Sequence, residues 1–137
     1  MSMRSPMSKV LGLGAAKQGS HHWWVQRVTS VALALLAPWF LLSLIALGDV
    51  SYASLTLWIA QPIHSVLLSL FVVVVTYHSQ LGVQVVMEDY VANKGVRMVT
   101  LLIVNFALLL LAVIGVFSIL RVALSVSPAI HIQMGLE

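Results

Sequence analysis

Ile63-His64-Ser65-Val66-Leu67-Leu68-Ser69-Leu70-Phe71-Val72-Val73-Val74-Val75-Thr76-Tyr77-His78-Ser79-Gln80-Leu81-Gly82-Val83-Gln84-Val85-Val86-Met87 contains no Asp, Glu, Lys or Arg. An apolar stretch of about 20 residues or more crosses a hydrocarbon core as a helix. A strand would leave backbone groups unpaired in lipid. Two further uncharged runs flank it, Val28 to Leu47 and Met98 to Leu120. The fold expected is therefore all-α and integral to the membrane, with three transmembrane helices over about 28–47, 63–87 and 98–120. Pro38 is a candidate kink in the first span, and Ser43, Gly82, Asn105 and Gly115 are candidate helix–helix contacts.

Composition agrees. Hydrophobic residues make up 61% of the 137 residues and charged ones 8%, against about 25% charged in soluble domains. Mean hydropathy is +1.04. The absence of Cys excludes a disulfide framework and thiolate-held metal or iron–sulfur sites within the chain. The net charge of +3 does not point to nucleic acid, because the basic residues lie scattered at the ends of apolar runs rather than in a stripe.

Outward from the spans the chain is expected to form three regions: a polar tail over 1–27, a membrane domain over 28–124 and a second tail over 125–137. The segment before Arg27 has no apolar core of signal-peptide length. Arg4, Lys9 and Lys17 in the first tail and Lys94 and Arg97 in the second loop fall on one side of a three-span protein. The positive-inside rule assigns that side to the cytoplasm of a bacterium, or to the matrix face of a mitochondrial inner membrane. The first loop, Gly48 to Pro62, carries Asp49 alone, with Tyr52 and Trp58 as expected interface anchors.

Three groups of residues could carry chemistry. His78 lies about ten residues from the charged end of its span, roughly 15 Å deep at ~1.5 Å per residue. An ionisable side chain at that depth is costly and is by default a functional candidate; the structural alternative is a neutral histidine bonded to a neighbouring helix. Gly82 follows four positions later, and Phe71 and Val85 lie seven residues either side, so all share roughly one helical face at about 100° per residue. A glycine one turn from a histidine leaves room for a flat macrocycle, and haem iron commonly takes an axial His. Asp89 and Tyr90, eleven and twelve positions on, offer an acceptor and a phenolic donor that suit a quinone carbonyl. They also suit a plain helix end beside an aromatic belt.

The third group is His21-His22-Trp23-Trp24-Val25-Gln26-Arg27. It reads as an interfacial anchor, or as a site in which Arg27 grips a carboxylate bidentately. His64 precedes His78 by fourteen positions, about 21 Å along a helix. Two stacked haems would need a second helix with matching histidines, which this chain lacks, so His64 is expected to be an outer-interface residue. A haem held between two histidines likewise needs a partner chain for its second ligand.

The run from His78 to Asp89-Tyr90, with Gly19-Ser20-His21 and Gln26-Arg27-Val28-Thr29-Ser30 before the first span, resembles the small hydrophobic membrane anchor subunits of succinate dehydrogenases (complex II). The resemblance implies a heteromeric helical bundle. His78 would be an axial ligand to haem b, shared with a larger membrane anchor subunit. Tyr90 would donate to ubiquinone, with Asp89 in the adjoining network and Arg27 near the haem propionates or the quinone pocket. The partners implied are that larger anchor, an iron–sulfur subunit and a flavoprotein subunit, together with the lipid bilayer. The chain would pass electrons to ubiquinone and hold no complete active site of its own. A cytochrome b subunit of another quinone-linked oxidoreductase, fumarate reductase included, and a non-redox scaffold are the alternative readings. Glu88 beside Asp89 and the segment from Ser125 to Glu137 depart from the resemblance.

Overall fold

The computed structural model describes the backbone of residues 16–134 and the side chains of residues 20–125. Four helices follow in order: α1 Ala16–Leu47, α2 Tyr52–Ala60, α3 Pro62–Tyr90 and α4 Lys94–Met134. Three of them are long and apolar enough to span a membrane, over Ser20–Leu47, Pro62–Tyr90 and Lys94–Ser125. The protein is an all-α integral membrane protein with three spans.

Helix α3 lies between the other two long helices, packing on both, whereas α1 and α4 scarcely meet. Small side chains set the closest approach. A Cβ at Gly115 of α4 would stand 3.0 Å from Val72 Cγ1 of α3, so glycine lets the two backbones close up. Between α1 and α3, Phe40 stacks on Phe71 with centroids 5.4 Å apart. In the most apolar stretch of each span, no more than 11% of residues are buried by the chain itself. Leu35, Ile45, Phe106 and Phe117, among others, are exposed. Such surface belongs against lipid or partner helices.

The helices run beyond the apolar runs. α1, described from Ala16, carries His21 through Arg27 on helix; residues 1–15 lie outside the described residues. Each backbone group between those residues and the span finds its partner most simply by continuing the helical ladder. Pro38 sits within α1, which continues as one helix past the bond that proline cannot donate. α4 continues through Met134; residues 135–137 are outside the description.

The Gly48–Pro62 break is not a plain loop, because it contains α2. Gly48, at φ +69°, turns the chain out of α1 in a conformation that costs a residue with Cβ. Ser51 then caps α2, accepting from the Ser54 amide. The Asp49 carboxylate accepts from the Ser51 hydroxyl at 2.6 Å, the Ser54 hydroxyl at 2.8 Å and the Ser51 amide at 3.0 Å. Those bonds, the Ser51 hydroxyl first, hold its carboxyl below the usual carboxylate range. Pro62 ends α2 by forcing Gln61 into an extended conformation and opens α3 at its first turn.

That corner returns α2 onto α3 and α4, which changes the reading of Trp58. Tyr52 is 85% exposed, but Trp58 is only 7% exposed, packed against Trp39, Phe40 and His64. Trp58 is therefore a core residue of the corner rather than an interface anchor. His64 stacks on it at 4.7 Å. Its Nδ1–H donates to the Trp58 carbonyl at 3.0 Å, since a carbonyl can only accept.

Candidate functional site

His78 is half-buried on the face of α3 that meets α1. Its Nδ1 lies 2.9 Å from Thr29 Oγ1 of α1. Thr29 is buried, at 9% exposure. The contact sets Thr29 level with His78, which is twelve residues in from Tyr90. Both thus lie about 18 Å from that end of α3 at 1.5 Å per residue.

One turn from His78 toward that end, a cavity of about 400 Å³ opens between α1 and α3. His22, Trp23, Gln26, Arg27 and Ser30 line it from α1, and Gly82 and Val85 from α3. Gly82 and Val85 share the face of His78, as their spacing requires; His78 itself is not one of the walls. A Cβ at Gly82 would meet nothing within 4 Å, so the glycine borders open space.

The polar groups here are under-used. His22 Nε2 and Gln26 Oε1 are buried and have no hydrogen-bond partner. A buried polar atom left unpaired costs about 1–3 kcal/mol, so both call for a ligand or a partner group. Ser30 is satisfied by the Gln26 carbonyl at 2.8 Å. The Arg27 guanidinium lies over the Trp23 ring, 5.4 Å from its centroid, and no carboxylate among the described residues pairs with it. A cation, a free imidazole nitrogen and an amide oxygen at the mouth of an apolar cleft suit a ligand bearing an acidic or hydroxylic group at its edge.

The two ends of the expected constellation are not drawn into this cavity. Asp89 is exposed and Tyr90 is 84% exposed at the end of α3. Glu88 beside them is bonded to Gln84 at 2.9 Å. His64 belongs to the α2–α3 corner. The structure therefore sets His78 against Thr29 at the α1–α3 seam and Arg27 on the wall of the neighbouring cavity, and leaves Asp89 and Tyr90 exposed at the end of α3. Among the described residues no three His, Cys, Asp or Glu side chains group as a metal site.

Comparison with known proteins bears on the same chain. Residues 1–116 match the family described as Succinate dehydrogenase/Fumarate reductase transmembrane subunit. The chain belongs to this family. Among relatives of this transmembrane-subunit family, a succinate dehydrogenase hydrophobic membrane anchor subunit of Rickettsia conorii is 35% identical over 103 residues, covering 74% of this chain and 82% of the relative. The subunit of the same description from Rickettsia bellii is 37% identical over 95 residues, 69% and 75% of the two chains. That of Paracoccus denitrificans is 30% identical over 86 residues, 63% and 67%. As a succinate dehydrogenase/fumarate reductase transmembrane subunit, the chain is part of a larger enzyme.

The pairing of Thr29 with His78 is not legible in the sequence, and His22 and Gln26, though part of the third group, carry no individual role there. Measured from the apolar run that starts at Val28, Thr29 stands at the membrane surface. Its contact with His78 Nδ1 places it level with that residue, well inside the bundle. Spacing along one helix relates no residue of α1 to one of α3.

Proposed function

We propose that this chain is the small membrane anchor of a succinate:ubiquinone oxidoreductase, that it gives haem b one axial nitrogen from His78, and that it borders the ubiquinone site. The observation that carries this reading is the cleft beside His78: open space at Gly82, flanked by Arg27 and by the orphaned His22 Nε2 and Gln26 Oε1. Arg27, and His22 when its Nε2 carries the hydrogen, would suit the carboxylates at the edge of a porphyrin, and the open space at Gly82 would admit its ring; Gln26 Oε1 would accept from a donor such as a hydroxyl or water. The succinate direction follows the names of the relatives.

In this reading the membrane domain, 28–124, joins a larger anchor subunit that supplies the second haem ligand. The flank ahead of the span that opens at Ser20 and the flank over 125–137 lie on opposite sides of a bacterial or mitochondrial inner membrane. The iron–sulfur and flavoprotein subunits dock on the side of residues 1–27, where α3 ends at Tyr90. Bound haem b would supply a one-electron store between iron–sulfur clusters and quinone. Arg27 balances carboxylate charge and fixes the orientation of the ring. Tyr90 donates its phenolic hydrogen to a ubiquinone carbonyl, and Asp89 accepts from that phenol or from water. The quinone takes up two electrons and two protons to become the quinol, and exposed groups at the α3 end keep the aqueous proton source within reach. The low burial of all three spans supports a chain whose bundle is completed by others.

The test is purification of the complex carrying His78→Ala or Tyr90→Phe. The first is expected to lose the haem spectrum while flavin and iron–sulfur content remain. The second is expected to keep haem and raise KM for ubiquinone. Normal haem in H78A would reject the ligand assignment.

A further inference from the structure

The Thr29 hydroxyl has one proton and two lone pairs. Its oxygen has three close neighbours: the Val25 carbonyl at 2.9 Å, the Gln26 carbonyl at 3.1 Å and His78 Nδ1 at 2.9 Å. Both carbonyls can only accept, so they hold the hydroxyl proton on the α1 side. The third contact is then favourable only if His78 Nδ1 carries the hydrogen and donates it to Oγ1. Thr29 is 9% exposed, so water scarcely competes for these positions.

We infer that Thr29 is a positioning residue that fixes His78 as the Nδ1–H tautomer and leaves the Nε2 lone pair, across the ring, free to bind iron. The inference rests on the assignment of His78 as a haem ligand. It adds the agent that sets the protonation and orientation of the ring. A ligating histidine that donates its second N–H to an acceptor is held in one tautomer and made more basic. Here the acceptor is a hydroxyl on another helix, whose own proton is taken up by backbone carbonyls. The α1–α3 seam thus aims the ligand as well as packing the helices. The reverse arrangement, with the hydroxyl donating to Nδ1, would put the hydrogen on Nε2 and block coordination.

The experiment compares Thr29→Val, which keeps the shape and removes the hydroxyl, with Thr29→Ser, which restores it, in the purified complex. Haem loss to excess apomyoglobin, the haem midpoint potential and the ferric low-spin g-values are measured together. T29V is expected to lose haem about 10–100-fold more readily, the usual cost of removing such a partner. Its remaining haem should show a raised potential, because a less basic nitrogen favours ferric iron less, and altered g-values. T29S is expected to match the parent on all three. Thr29→Ala, too small to clash, repeats the test if T29V fails to assemble. Unchanged potential and g-values in the hydroxyl-free variants would overturn the inference, even with lower yield, because they would leave Thr29 a structural tie alone. His78→Ala separates the two levels: haem retained there rejects the ligand assignment itself. Haem lost there but unmoved by T29V rejects only the role of Thr29.

Discussion

Replacing Gly82 with leucine adds a four-carbon side chain to a helix face where an added Cβ meets nothing within 4 Å. Within this chain the change is tolerated, and helix propensity favours leucine over glycine by up to about 1 kcal/mol. If that space receives the porphyrin, the same side chain competes with it. Overpacking a filled site costs about 1–3 kcal/mol, and each 1.4 kcal/mol is tenfold. G82L should then weaken haem binding by roughly five- to 150-fold while the three spans still fold. Gly82→Ala, with one methyl, should fall between G82L and the parent. The assay is the haem-to-flavin ratio of complex isolated through a tag on this chain, with assembly checked by subunit composition. A fully assembled G82L complex with the parental ratio and haem spectrum would refute the reasoning, since the open space would then have no ligand to exclude.

Gly115 should respond in the opposite way, because its Cβ would press on Val72 Cγ1 at 3.0 Å. Gly115→Leu is expected to lower the melting temperature of the detergent-solubilised complex, at a cost of about 1–3 kcal/mol, without a specific loss of haem. Arg27→Gln removes a contact with Trp23 worth about 0.5–1 kcal/mol when exposed. It should leave folding nearly intact yet speed haem loss to apomyoglobin, and Arg27→Lys should restore this only in part because it lacks the bidentate fork. Asp49 predicts a pH effect. Its folded carboxyl titrates below the ordinary carboxylate value of 3.8, so its contribution to the α2 cap is fully present above 3.8 and is lost as pH falls below that value through the folded pKa. Hydrogen exchange at the Ser51 and Ser54 amides should accelerate in that window, and Asp49→Asn should abolish the pH dependence.

The three spans were legible because uncharged runs of that length have no other stable form in a membrane, and Ile63 to Met87 alone establishes the principle. α2 was hidden for the converse reason. Tyr52–Ala60 is too short to span, and Pro62 reads as a break whether or not a helix precedes it. Trp58 was misjudged with it, because an aromatic near a span end looks the same in sequence whether it faces headgroups or a folded-back helix. His78, Gly82 and Val85 were assigned to one face from spacing alone, and the structure keeps Gly82 and Val85 on one cavity wall beside His78. The contact of Thr29 with His78 comes from the packing of α1 on α3. Helical period relates only residues within one helix, so spacing does not give that pairing. Asp89 and Tyr90 remain at the rim, where their polarity alone would place them.

The central claim is that this chain holds haem in a succinate-oxidising complex, and the direct measurement is an optical spectrum of the complex purified through a tag on this chain, taken before and after succinate. The expected result is a b-type haem spectrum, copurifying flavoprotein, iron–sulfur and larger anchor subunits, and reduction of the haem by succinate. A well-folded complex without haem, or with haem that succinate leaves oxidised, would contradict it.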